Sequence, residues 1–166
     1  MSNFEWRAMR VDDLPAVEAI AAQVHPAFPE DGAVFAERHR LAPDGVHLLE
    51  IAGEPAGYFI THPWRYGKLP ALNALLGAIP PDADTWYLHD LALLPAARGT
   101  GAAGAIVTHV LDHARQKGFS TASLVAVNGS IPFWQRQGFE VTEAPKLSQK
   151  LATYEDAARF MVHTLG

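Results

Sequence analysis

The chain contains no cysteine, which excludes disulfides, a thiolate metal site and a cysteine nucleophile. It also has no run of Lys or Arg, and its formal net charge is −5. Nucleic-acid and membrane-surface roles call for a basic patch, so neither is expected. Long apolar runs are missing too: the longest mostly apolar stretch, residues 69–80, is too short to span a bilayer. The opening MSNFEWRAMR lacks the apolar segment of a signal peptide, and a cytoplasmic location is the resulting expectation. Neither an internal repeat nor a low-complexity tract interrupts the chain. With 166 residues, 49% hydrophobic and 19% charged, the composition is that of one globular domain over residues 1–166 with its own core.

Hydrophobic spacing supplies the elements. Residues 4–9 alternate as a first strand, and Asp12 or Asp13 is placed to cap a helix carrying Leu14, Val17, Ile20, Ala21 and Val24 on one face. A Pro-punctuated loop, residues 25–32, leads to a shorter helix over 33–41. Residues 46–52 and 56–61 read as a hairpin about Gly53-Glu54. Residues 63–84 carry four prolines and room for a short helix at 71–76; inserts of this length are commonly functional. Beyond them lie a strand (86–94), a helix from about 102 closed by Gly118, an apolar strand (121–127), a helix (130–137) and strands at 139–143 and 158–163. The strand–helix–strand run from 86 to 127 forms a parallel βαβ unit.

The most informative stretch is WYLHDLALLPAARGTGAAG, residues 86–104. A strand feeds a glycine-rich turn that opens a helix, a construction that holds anions. Unpaired N–H groups at the helix start point outward, the helix dipole adds positive charge, and glycine lets the backbone approach. Gly99-x-Gly101-x-x-Gly104 matches the dinucleotide fingerprint, but its context differs from that of a dinucleotide fold. Residues 95–98 separate strand from glycine, the next strand ends Val127-Asn128 with no carboxylate, and about half the chain precedes the motif. A Walker phosphate loop is excluded because no Gly-Lys-Ser/Thr follows.

Arg98-x-x-Gly101-x-Ala103 instead resembles the Q/R-x-x-G-x-G/A loop of the GNAT superfamily of acyl-CoA-dependent N-acyltransferases. The resemblance extends to the opening strand and helix (4–24) and to NGSIPFWQRQGF (128–139), an Asn followed by a short helix ending in Gly-Phe. It implies an α/β fold with a mixed, mostly antiparallel sheet, a central parallel βαβ unit, helices on both faces and a V-shaped slot between two splayed strands. Pantetheine would lie along the edge of residues 91–93, with the backbone of Leu91 and Leu93 facing the slot. The Leu93 N–H would polarise the thioester carbonyl, which makes Leu93 a catalytic candidate through its backbone. The N–H groups of Arg98, Gly99, Thr100, Gly101, Ala102, Ala103 and Gly104 would hold the pyrophosphate. Asn128 would touch the pantetheine arm, and Phe133 and Trp134 would pack against the cofactor. Trp134 departs from the family, many members of which carry there a tyrosine that can protonate the departing thiolate; solvent, His89 or Tyr154 remain for that task.

An attacking amine must lose a proton. His89 and Asp90 lie beside the implied reacting centre, and strand alternation puts them on opposite faces unless a bulge intervenes; either can be the base. The acceptor site implied by the family draws on the loop after the first helix and the segment before the central strand. There His25, Phe28, Glu30 and Trp64 suit a cationic amine through aromatic and carboxylate contacts. His109 and His113 stand at helical i, i+4 spacing without a third ligand in view, so no metal is expected. The expected activity is transfer of an acetyl group from acetyl-CoA to a primary amine of a small molecule or peptide, in a ternary complex. A non-catalytic acyl-CoA sensor on the same fold and a dinucleotide enzyme are the alternatives. A homodimer is an expectation from the family alone.

Overall fold

The computed structural model describes residues 3–127, 129–143, 145–155 and 157–166. Seven strands, β1 (Phe4–Ala8), β2 (Val46–Ile51), β3 (Glu54–Trp64), β4 (Thr85–Leu93), β5 (Thr121–Ala126), β6 (Glu140–Val141) and β7 (Arg159–Thr164), form one sheet in the order β1-β2-β3-β4-β5-β7-β6. Every neighbouring pair is antiparallel except β4 and β5, which are parallel. Helices α1 (Leu14–Val24) and α2 (Gly32–Leu41) cover one face, where Val17, Ile20 and Phe35 bury against Tyr58 and Ile60. Helices α3 (Ala102–Gln116) and α4 (Ile131–Arg136) cover the other, packing Ile106, Val107, Val110 and Trp134 on Phe59, Trp86 and Leu88. Burial of each such side chain contributes about 1.5–3 kcal/mol.

Helix α3 follows from its sequence. Ala102, Ile106, Val107, Val110, Leu111 and Ala114 recur at helical spacing and all are buried. Gly118, at φ 90°, ends it in a double turn: Phe119 N donates to Ala114 O and Gly118 N to Arg115 O. Phe119 then packs edge-on against Trp86, with ring centres 5.3 Å apart. At its other end, Trp6 Nε1 donates to Ala102 O at 2.8 Å, tying β1 to the glycine loop.

Three local expectations are corrected, and one element was not expected. Neither Asp12 nor Asp13 caps α1 with its side chain; Asp13 reaches back instead to Arg10 N at 2.7 Å and to the Arg7 guanidinium at 2.7 and 2.8 Å. The charged partner wins over the orphan helix N–H groups. No helix forms at 71–76; the segment is held by contacts to other elements rather than by its own ladder. Strand β3 runs on to Trp64, three residues beyond the expected hairpin partner, because β4 continues beside it. A short helix α5 (Ser148–Ala152) lies in a stretch whose apolar residues are too few to announce it.

Candidate active site

Two irregularities of β4 build the site. First, β4 and β5 pair only from Trp86↔Ala122 to Leu88↔Leu124. Beyond Leu88 the two strands part, leaving a slot lined by Leu91, Leu124, Val127, Ser130, Phe133 and Trp134. Second, the β3–β4 register shifts: Ile60 faces Asp90 but Thr61 faces Leu88, so His89 is a bulge without a partner on β3. The alternation therefore resets. Leu88 and Leu91 both pack on the α3 side, whereas Tyr87, His89 and Asp90 face the opposite side together, toward the loop after α1.

Leu94 N donates to Ala56 O on β3. By antiparallel alternation the Leu93 N–H points the other way, to the side from which β5 has withdrawn. The side chains of Leu91 and Leu93 pack in the core, at the α3 face.

The glycine loop follows. Gly99 and Gly101 take φ 75° and 86°, a left-handed conformation natural to glycine. Nothing lies within 4 Å of where a Cβ would stand on either, so the loop presents open backbone. Thr100 Oγ1 donates to Ala97 O at 2.6 Å and accepts from Ala102 N at 3.2 Å. Among the described residues, the N–H groups of Gly99, Thr100, Gly101, Ala103 and Gly104 meet no acceptor. Arg98 is exposed beside them, but its own N–H donates to Pro95 O and that of Ala102 to Thr100 Oγ1, so these two expected donors are already engaged. A row of free donors at the start of a 15-residue helix fits a pyrophosphate, and the apolar slot fits a pantetheine arm. Asn128 lies outside the described residues.

On the other face, His25 ends α1 and Glu30 sits in the loop before α2. His25 Nε2 is 2.8 Å from Asp90 Oδ1, an ionic contact without hydrogen-bond alignment. Burial disfavours the His25 imidazolium, but Asp90 more than offsets this and its pKa is raised. The Tyr58 hydroxyl donates to Asp90 Oδ2 at 2.6 Å; burial, then the Asp90 charge, push its pKa well up, so it stays a donor. His89 Nε2 donates to Glu30 Oε1 at 2.9 Å. Burial favours the neutral form of Glu30, yet the bond from His89 holds its pKa below the ordinary carboxylate value. The second Glu30 oxygen accepts from Asn73 N at 3.1 Å.

His25, Glu30, His89 and Asp90 line a second cleft with Phe28, Leu72, Tyr87 and Tyr154. The slot and this cleft share His25, His89, Asp90, Val125 and Val127. Sequence reasoning missed Tyr58, Leu72 and Tyr87: the first two come from distant segments, and Tyr87 reads as plain core. Trp64 lines neither cleft and packs instead edge-on to His62 at 5.4 Å. His109 and His113 take different partners: His109 stacks edge-on with His47, and His113 bonds Asp44 at 2.7 Å. Among the described residues no group of three or more potential ligands is placed to hold a metal, and no helix is long and apolar enough to cross a membrane.

A seven-stranded mixed sheet, helices on both faces and one parallel pair that parts around a slot define the GNAT fold. The sequence profile of the Acetyltransferase (GNAT) family matches residues 6–139, and the chain belongs to that family. Among solved structures it resembles the loading GNATL domain of CurA from Lyngbya majuscula, with TM-score 0.78, 13% identity and 98% of each chain covered. Ard1 from Thermoplasma volcanium is similar at TM-score 0.73 and 18% identity, over 98% of this chain and 97% of that one. Naa50 from Arabidopsis thaliana, in complex with the bisubstrate analogue CoA-Ac-MVNAL, gives 0.72 and 16%, over 96% and 97%. At these identities the likeness concerns the fold.

Proposed function

We propose that the protein transfers an acetyl group from acetyl-CoA to a primary amine by direct attack. The observation that carries this reading is the meeting of two clefts at His89 and Asp90. The slot beside Leu91 receives the donor, and the cleft beside Glu30 receives the acceptor. The Naa50 neighbour, bound to a CoA-linked peptide, supports such a two-sided arrangement.

Bound acetyl-CoA supplies a thioester whose sulfur is already a fair leaving group near neutral pH. The loop N–H groups of Gly99, Thr100, Gly101, Ala103 and Gly104 bind its phosphates, and Phe133 and Trp134 wall the arm. Glu30 fixes the His89 ring, and the imidazole takes the proton that the amine must lose. Asp90, held between His25 and Tyr58, keeps negative charge at the junction and favours an arriving ammonium. The Leu93 N–H, on the slot side by strand alternation, would stabilise charge growing on the carbonyl oxygen. Trp134 offers no acid, so the thiol receives its proton from solvent or from His89.

A thermal-shift titration with acetyl-CoA, CoA and NADPH in parallel tests the donor half, since a ligand of the native state raises its stability by mass action. Stabilisation by the CoA forms alone is the expected result. Stabilisation by NADPH alone would transfer the glycine loop to a dinucleotide and end this reading.

A further inference from the structure

The cleft beside His89 also indicates what kind of amine enters it, an inference that rests on the amine-transfer reading above. Its charged wall groups, His25, Glu30, His89 and Asp90, gather at its junction with the slot. The four carboxylate oxygens face His89, Asn73 N, His25 and Tyr58 respectively. The Tyr154 hydroxyl donates to Pro70 O. One ammonium can meet these carboxylates at the junction; a second, farther along the acceptor, would lie against the rest of the lining, which holds no carboxylate among the described residues, and burying an unpaired charge is costly.

An acceptor carboxylate fares no better. Arg38 is fully buried; its Nη1 bonds Glu37 Oε1 and Ala74 O, its Nε and Nη2 meet no partner among the described residues, and it is absent from the cleft lining. It is not presented to the cleft. The remaining wall is apolar or aromatic: Phe28, Leu72, Tyr87, Val125, Val127 and the ring of Tyr154.

The cleft is also roofed. Leu72 belongs to the non-helical segment after β3, which is clamped along its length. Leu76 N and Gly77 N donate to the two Glu37 oxygens at 2.6 and 2.9 Å. Asp31 N donates to the Asn73 side chain at 2.7 Å, and Pro70 O is held by Tyr154. A peptide main chain would need its own groups satisfied against a wall that is apolar or aromatic beyond the junction.

We infer that the acceptor is a small monoamine on an apolar or aromatic body, selected by Phe28, Leu72 and Tyr87 rather than by a second charge. Its ammonium sits at His89 and Asp90, over aromatic faces. On transfer, nitrogen bonds to the acetyl carbon as the carbon–sulfur bond breaks. Of the two protons the ammonium loses, one ends on the CoA thiol and the other leaves through His89 to solvent.

The test is kcat/KM for thiol release from acetyl-CoA with phenethylamine, 1,5-diaminopentane, lysine and a hexapeptide with a free N-terminus. Phenethylamine should exceed each of the others by at least about tenfold. Equal or better turnover of the diamine, the amino acid or the peptide overturns this inference but leaves amine acetylation standing. Binding of acetyl-CoA with no amine turned over overturns the transfer reading itself. Leu72→Glu adds an unpaired carboxylate to the wall and should move the diamine-to-phenethylamine ratio up by about tenfold or more. An unchanged ratio in a folded variant counts against Leu72 as a selecting residue.

Discussion

His89 and Asp90 are adjacent in a β-strand yet face the same way, because His89 is bulged out of register between the pairs Ile60↔Asp90 and Thr61↔Leu88. That one extra residue sets Asp90 against His25 and Tyr58 while His89 reaches Glu30. It lies one residue beyond the last β4–β5 pair, Leu88↔Leu124. The bulge and the parting of the strands therefore fall together, and both clefts end on the same two side chains.

Replacing His89 removes the proposed base. His89→Gln keeps the ring's place filled and should lower kcat about 10²- to 10³-fold, with the acetyl-CoA dissociation constant unchanged within a factor of about three. Single-turnover kinetics beside a binding titration separates the two. Near-full turnover in the variant would shift the role of base to Asp90 or to water.

The glycine loop is tested at Gly101. Its φ of 86° is strained for alanine by roughly 1–2 kcal/mol, although the space around it is open. Gly101→Ala should fold with reduced stability and bind CoA more weakly, because a methyl group enters the ring of donors. Calorimetric titration of CoA reads this directly. Undiminished affinity would place the pyrophosphate elsewhere.

His62 carries an acid-side prediction. It is fully buried, and that burial holds its pKa at about 3. An unfolded histidine protonates near 6.5, so between these values the unfolded chain binds the extra proton. Stability must then fall as pH falls through this window, by up to about 1.4 kcal/mol per pH unit for this group. Urea unfolding at several pH values should show a shallower slope in His62→Gln. Parallel slopes would mean that His62 is protonated in the folded state.

His25 has the opposite sign. Asp90 raises its pKa above the unfolded value, so its contribution is fully present below about pH 6.5 and is lost as pH rises through the folded value. The stability gap between the parent and His25→Gln should therefore be wider at pH 5.5 than at pH 8.5. A gap that widens toward alkaline pH would contradict the ion pair.

The elements legible in the sequence were those with strong local periodicity. Helix α3 announces itself by Ile106, Val107, Val110 and Leu111 and stops at a glycine that must turn left-handed. The glycine loop was legible from strand, glycines and helix in succession. The partners of His89 and Asp90 were less so. Glu30 and His25 stood in the right loop, but their pairing depends on a register shift that no local pattern encodes. Tyr58 and Leu72 enter from a neighbouring strand and a clamped segment, 32 residues from Asp90 in the first case. The absence of a helix at 71–76 has the same origin: Glu37, Arg38 and Glu30 take up the backbone groups a helix would have used.

The most direct test of the account is an initial-rate matrix of thiol release, varying acetyl-CoA against phenethylamine. Attack across two clefts that meet at His89 requires both ligands bound together. The account predicts amine-dependent release with intersecting double-reciprocal lines and formation of the N-acetyl product. Thiol release that ignores the amine, or none at all from protein that binds acetyl-CoA, would contradict it.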